Sequence, residues 1–289
     1  MSKYRGFQAL SHIVLILFSF MALLPFWILV TASLSDEATA VQNGFSLWPR
    51  QWSTAAYQYL MSKWAMFGRG YLITMIVTVV GVAVCVVITM MLGYMLSRPG
   101  IPGRRVVQFL VIFTMLFNGG LVATYITYST VFHIKNTLFA LIVPNLLTNA
   151  FYITMVRNYF SSNIPNEVLE AARIDGCTEY GIFFRIVMPL SKPIAATLAL
   201  MAGVAYWNDW QNGLYYLDDQ NMYGIQNILN AINESNKYLM QAGGGGGGAM
   251  PTETARMAAA VIGIFPVLIA YFFFQDYFVK GLTMGAVKG

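Results

Sequence analysis

Runs of about twenty consecutive apolar residues leave a chain few choices. No water in hydrocarbon can hydrogen-bond a peptide group, so a crossing segment must close its hydrogen bonds internally, as a helix does. Spanning about 30 Å of hydrocarbon takes about twenty helical residues. Six stretches of this 289-residue chain meet that length or come close to it, near 13–34, 70–97, 106–130, 137–157, 193–217 and 257–279. The expected fold is therefore all-α and polytopic, a single transmembrane domain over residues 1–289 with six transmembrane helices. Composition agrees, since 57% of residues are hydrophobic and 10% charged, whereas soluble domains are about one-quarter charged. The first run is long enough to span and no cleavage site follows it, so it reads as a retained helix rather than a removed signal.

The net charge of +5 does not point to nucleic acid, because the basic residues form no face or tail. They sort by loop instead. Lys3, Arg5, Arg98, Arg104, Arg105, Arg157, Arg173, Arg185, Lys192, Lys280 and Lys288 fall on one side of the six runs, mostly in short connections. Arg50, Lys63, Arg69, Lys135, Lys237 and Arg256 are spread over much longer opposite loops. The positive-inside rule then predicts both termini and the 160–192 loop in the cytoplasm. The first outer loop, 35–69, holds Trp48, Trp52, Tyr57, Tyr59 and Trp64, residues that favour the headgroup level. The last outer loop, 218–256, is polar and contains Gly243–Gly248, which reads as a flexible tether. A phosphate-binding loop would end in Lys-Ser/Thr, and Ala249 and Met250 follow instead.

Between the fourth and fifth runs lies EAARIDGCTEYGIFFRIVMPLSKP, from Glu170 to Pro193. Pro165 can open a helix, because its missing N–H would be unpaired in a first turn anyway, and Glu167 and Glu170 suit the positive end of the helix dipole. Gly176 supplies a stop and Thr178 a cap for a second helix. That helix has to finish before Pro189, which disfavours helical geometry in the residue preceding it. With Ile182, Phe183, Phe184, Ile186, Val187 and Met188 it is too short to span and too apolar to stand free. It needs a surface to pack on.

These residues resemble the cytoplasmic loop of the membrane subunits of binding-protein-dependent ABC importers. Glu170, Ala171, Ala172, Gly176, Ile186 and Pro189 fall on the family pattern of EAA, three residues, Gly, nine residues, Ile, one residue and Leu-Pro, with Met188 in the Leu place. The resemblance covers nearly the whole chain, including FNGGLVATY from Phe117, RNYFSSNIP from Arg157, WNDW from Trp207 and QDYFVKGLTMGAVKG from Gln275. It resembles in particular the smaller maltose-importer permease and the branch associated with complex oligosaccharides or polysaccharide fragments. The resemblance implies a multi-pass protein of the bacterial cytoplasmic membrane, surrounded by lipid and paired with a second homologous permease. It also implies two ATPase subunits carrying ATP and Mg, an extracytoplasmic solute-binding protein and a carbohydrate substrate. Glu170, Ala171, Ala172, Asp175, Gly176, Phe183, Ile186 and Pro189 would then couple to the ATPase.

Ionisable groups inside the runs are few, and Asp209 in Trp207-Asn208-Asp209-Trp210 is the most conspicuous. Either these side chains line a polar cavity, rings stacking on sugar and amides bonding hydroxyls, or Asp209 sits at the headgroup boundary among belt tryptophans. Asn118, Thr124, Tyr125, Thr127 and Tyr128 give the third run a hydroxyl-rich face, for the same path or for helix packing. The candidate substrate path is Asn118, Tyr125, Trp207, Asn208, Asp209 and Trp210. No catalytic set, metal site or cofactor is expected in the chain itself. His12 and His133 lack carboxylates at ligand spacing, Cys85 and Cys177 would not meet as a disulfide, and GxxxxGK[ST] is missing. The alternatives are a permease of the same importer class for a non-sugar solute, and a secondary transporter, which would show inverted repeats with discontinuous spans.

Overall fold

The computed structural model describes residues 2–241 and 253–286; the tether expected at Gly243–Gly248 lies outside the described residues. Regular structure among them is helical, apart from one isolated antiparallel bridge, Ser35 to Trp52. In chain order come α1 (Ser2–Ser33), α2 (Glu37–Asn43), α3 (Ala55–Ser62), α4 (Trp64–Ser97), α5 (Arg104–Leu116) and α6 (Gly120–Ile126), the last running into a π-helical turn at Thr127–Val131. Then follow α7 (Phe139–Ile142), α8 (Ala150–Asn163), α9 (Asn166–Ile174), α10 (Glu179–Ile182) with a π-helical turn at Phe183–Val187, and α11 (Met188–Leu190). The chain continues through α12 (Lys192–Trp207), α13 (Gln211–Tyr216), a 3-10 turn at Gln220–Met222, α14 (Ile225–Gln241) and α15 (Glu253–Ala286).

Three helices among the described residues are long and apolar enough to cross a membrane: Leu10–Ser33 of α1, all of α4, and Glu253–Phe273 of α15. Glu179–Leu190 and Lys192–Trp207, bent by 82°, add a fourth if taken as one span. Along α1, Phe18, Phe20, Met21 and Leu23 are all exposed, as befits a helix whose solvent is lipid.

The other expected passages are not single helices. The 106–130 run breaks after Leu116, where Phe117 is extended and Gly120 takes φ +78°; the Asn118 carboxamide oxygen accepts the Gly120 N–H at 2.8 Å. The 137–157 run stops at Ile142, since Pro144 has no N–H to continue a helix and Asn145 turns to φ +62°. It resumes at Ala150, capped by the Asn149 side chain, which accepts from the N–H groups of Phe151 and Tyr152. The 193–217 run is divided at Asn208–Trp210 into α12 and α13. Residues 218–256 are not loop throughout either. Ile225 and Ile228 are buried, and a helical apolar spacing threaded through the polar residues makes α14 amphipathic.

The chain divides into two compact units, residues 1–68 with 228–266 and residues 69–227 with 267–289. In the first, the Glu37 carboxylate accepts the N–H groups of Glu253 and Thr254, both at 2.9 Å, and so caps α15. Trp27, Trp48 and Trp52 form a chain of ring contacts there, and Trp48 and Trp52 remain exposed. In the second unit, α4 makes two close approaches. A Cβ at Gly81 would stand 2.5 Å from the Tyr206 ring of α12, and one at Gly93 would stand 2.6 Å from the Val156 side chain of α8. Gly93→Val is accordingly expected to destabilise this unit by about 1–3 kcal/mol through overpacking. Gly119→Ala, whose Cβ meets nothing closer than 3.7 Å, should be neutral. Retention of the monodisperse peak after graded heating in detergent compares the two.

Candidate functional site

The segment from Pro165 to Pro193 folds as a helical hairpin by local rules. Pro165 precedes α9 in an extended conformation, with Glu167 in the first turn and Arg173 in the last, both favourable to the dipole. The helix closes with Gly176 at φ +80°, where the N–H groups of Gly176 and Cys177 reach the carbonyls of Arg173 and Ala172. Thr178 then opens α10, its hydroxyl accepting the Gly181 N–H at 3.2 Å. The expected end before Pro189 is corrected. The helical path continues through the π-helical turn into α11 and breaks at Ser191, whose N–H reaches the Val187 and Met188 carbonyls. Pro189 sits in the first turn of α11, where no N–H is required of it, and the wider π turn before it relaxes the local backbone.

One side of the hairpin is core. Leu169, Ala172, Ile182, Phe183 and Val187 are buried with Met90 and Tyr94 of α4, Val156 and Phe160 of α8, and Ile194 and Leu198 of α12. The Tyr94 ring centre lies 5.5 Å from that of Phe183 and 6.2 Å from that of Phe160. Polar links reinforce this packing. The Tyr94 hydroxyl donates to Glu179 at 3.1 Å and Arg173 donates to the other oxygen of that carboxylate at 2.7 Å. The Arg173 hydrogen bond, and then that of Tyr94, hold the Glu179 carboxyl below the usual carboxylate range. Arg98, just past α4, donates to Asn166 at 2.9 Å. The end of α4 therefore grips both helices of the hairpin.

The other side is outward and mixes exposed apolar groups with charges, Glu167, Glu170, Asp175 and Arg185 among them. Ile174 is 87% exposed, Tyr180 70% and Phe184 49%, while Glu170, Ala171, Asp175, Gly176 and Pro189 are exposed beside them. Among the residues expected to couple, Ala172 and Phe183 instead face the chain's own core and Ile186 is half-buried. Ile174 and Tyr180 were not singled out from the sequence. Their signal was spacing, since each lies two residues from a buried position and so turns away from it.

The expected substrate-path residues fall into two groups. Tyr125 stacks on Tyr216 at 5.7 Å, and Tyr128 meets the same ring edge-on at 6.2 Å; Asn118 stands exposed at the break before α6. At the second break, Trp207 is buried with its ring tilted against Tyr71 at 6.3 Å. The Asn208 side chain donates to the Val204 carbonyl, and exposed Trp210 presents its own carbonyl to Asn227. Asp209 serves the backbone of the next helix. Its Oδ1 accepts the N–H groups of Gln211 and Asn212, at 3.1 and 3.3 Å, and so caps α13. Tyr216 and Tyr71 were invisible as partners because nothing local in the sequence brings them to Tyr125 and Trp207.

Residues 85–284, from the middle of α4 through the hairpin and into the end of α15, match the family model described as binding-protein-dependent transport system inner membrane component. The chain belongs to this family. It is 37% identical, over 99% of its length and all of the relative's, to the polygalacturonan/rhamnogalacturonan transport system permease protein YtcP of Bacillus subtilis. It is 28% identical, over 94% of this chain and 93% of the other, to the arabinooligosaccharides transport system permease protein AraQ of Halalkalibacterium halodurans. A chain in the crystal structure of a bacterial ABC transporter involved in the import of the acidic polysaccharide alginate superposes with a TM-score of 0.81. That chain is 29% identical, with 95% of this chain and 97% of the other covered. As an inner membrane component the protein crosses the membrane several times, and the hairpin lies within the matched region.

Two substitutions test the local geometry. At Gly176 a Cβ meets nothing within 4 Å, so Gly176→Val pays only the left-handed backbone cost of about 1–2 kcal/mol. Limited proteolysis should cut its hairpin faster while membrane insertion stays normal. Asp209→Asn keeps a capping oxygen and should leave thermal stability unchanged, whereas Asp209→Ala should lose about 0.5–2 kcal/mol.

Proposed function

We propose that this chain is the permease subunit of an ATP-driven importer of oligosaccharides or polysaccharide fragments, and that the Glu170–Pro189 hairpin is its cytoplasmic contact with an ATPase. The observation that carries this reading is the two-sided hairpin, one face locked to α4, α8 and α12 and the other exposing Ile174, Tyr180 and Phe184 among charged residues. The sugar class rests on the relatives, which are named for polygalacturonan, rhamnogalacturonan and arabinooligosaccharides. In this reading the chain crosses the membrane six times, through α1, α4, α5 with α6, α7 with α8, α12 with α13, and α15, both termini being cytoplasmic. A second homologous permease, a pair of ATPase subunits and an extracytoplasmic solute-binding protein complete the importer.

Mechanistically, closure of the ATPase pair pushes the hairpin, and the shared core passes that displacement to three membrane helices as one body. The aromatic and amide groups at the outer breaks then alternate between facing outward and inward, as differential affinity of the two states for ATP and substrate requires. Interrupted helices at membrane depth are also a mark of secondary transporters. The family membership and the hairpin favour the importer.

Docking by helix-in-groove packing assigns most of the contact energy to apolar groups. Ile174→Ala, Tyr180→Ala and Phe184→Ala should each weaken retention of the ATPase on the purified permease pair by about tenfold or more, as burial worth about 1.5–3 kcal/mol per side chain implies. Ile182→Ala and Phe183→Ala should instead destabilise the permease itself, by about 2–5 kcal/mol. If the three outer variants keep the ATPase as wild type does, while added salt alone strips it away, the docking face is misassigned.

A further inference from the structure

A cleft of about 420 Å³ lies between the end of α4 and the hairpin, lined among others by Met91, Tyr94, Met95, Arg98, Arg173 and Phe183. Arg98 is 5% exposed. Its Nη1 is bonded to Asn166, and the Tyr94 ring lies 5.1 Å from its guanidinium carbon. Its Nε and Nη2 are buried and carry no hydrogen bond. These two nitrogens form one edge of the guanidinium, the edge whose parallel N–H groups a phosphate or carboxylate takes bidentately. A ring face gives them no lone pair in the plane.

Charge and depth narrow the occupant. The cleft holds the cations of Arg98 and Arg173 and the single carboxylate of Glu179, which Arg173 and the Tyr94 hydroxyl already engage. One positive charge is left over, matching a group of charge minus one. The 34 residues of α4 span about 51 Å, more than the roughly 40–45 Å of a bilayer with its headgroups. With the hairpin in the cytoplasm as proposed above, Met91, Tyr94 and Met95, in its last two turns, come to the inner headgroup level, and a thioether wall with a tyrosine suits the head of an acyl chain.

We propose that this cleft binds the phosphodiester of an anionic phospholipid from the cytoplasmic leaflet, with the Nε and Nη2 edge of Arg98 on the phosphate and the acyl chains along Met91 and Met95. This rests on the cytoplasmic placement of the hairpin proposed above. The lipid sits where α4 grips the hairpin, so its occupancy stiffens the joint through which the ATPase acts.

The test is native mass spectrometry of the assembled importer, released from nanodiscs of phosphatidylcholine and phosphatidylglycerol in equal parts. Wild type should keep phosphatidylglycerol in preference to phosphatidylcholine. Arg98→Gln should lower that retention about tenfold, the effect of losing a charge-assisted hydrogen bond, while Arg105→Gln, an equal loss of charge at an exposed site outside the cleft, should not. If Arg98→Gln does not assemble, Met95→Trp fills the cleft with the arginine in place and should show the same loss. Equal losses for Arg98→Gln and Arg105→Gln, or unchanged retention in both Arg98→Gln and Met95→Trp, would overturn the proposal. So would displacement of the lipid by millimolar inorganic phosphate, which assigns the site to a free anion, or a rise in lipid retention when the ATPase is removed, which assigns it to the ATPase. The ATPase content of wild type is read from the same spectra. Its absence would sink the importer reading independently of the lipid result.

Discussion

A peptide group in hydrocarbon has no solvent to fall back on, so each interruption of a helix at membrane depth obliges the chain to supply a partner from elsewhere. This constraint accounts for many of the polar side chains in the apolar runs. The Tyr206 hydroxyl donates at 2.8 Å to the carbonyl of Ile142, where α7 stops, and the Asn212 carboxamide donates at 3.0 Å to that of Pro144 just beyond. Asn118, Asn149 and Asp209 accept backbone N–H groups on the far side of their own breaks. Residues that look like ligands for a solute are in good part ligands for the backbone. Ring surface also faces outward at the breaks, half-buried Tyr125 and exposed Trp210, beside exposed Asn118 and Asn208.

This also explains which parts of the molecule were legible in the sequence. The hairpin was, because the left-handed turn at Gly176, the cap at Thr178 and the opening at Pro165 depend on a few adjacent residues obeying local steric rules. So were α1, α4 and α15, whose apolar runs stay helical, in α1 and α15 through an internal proline, Pro25 and Pro266. The divided passages were not, because apolarity reports where a segment is buried and says nothing of whether its hydrogen bonds run on. Pro144 alone would only kink a helix, but the left-handed turn at Asn145 completes the break, and it is stabilised by contacts from α12 and α13 that lie more than sixty residues away. α14 was hidden by its amides, which mask the spacing of Ile225 and Ile228. The inward turn of Phe183 could not be read either, since which hairpin face meets the core depends on where Tyr94 ends up.

The two kinds of segment differ in stiffness for a physical reason. Around Tyr94, Phe160 and Phe183 the hairpin packs against α4, α8 and α12, and α4 comes close enough at Gly93 for its backbone to touch Val156. Such a core has discrete packings and resists gradual deformation. Among the short helices at the breaks, α7 joins a second core with Tyr206 and Leu217 and α13 buries Asn212 and Tyr216, whereas α6 buries none of its residues. Short segments with few buried contacts open at lower free energy than a packed core does. Of the breaks, the one at Asn118 before α6 is therefore the easiest to open.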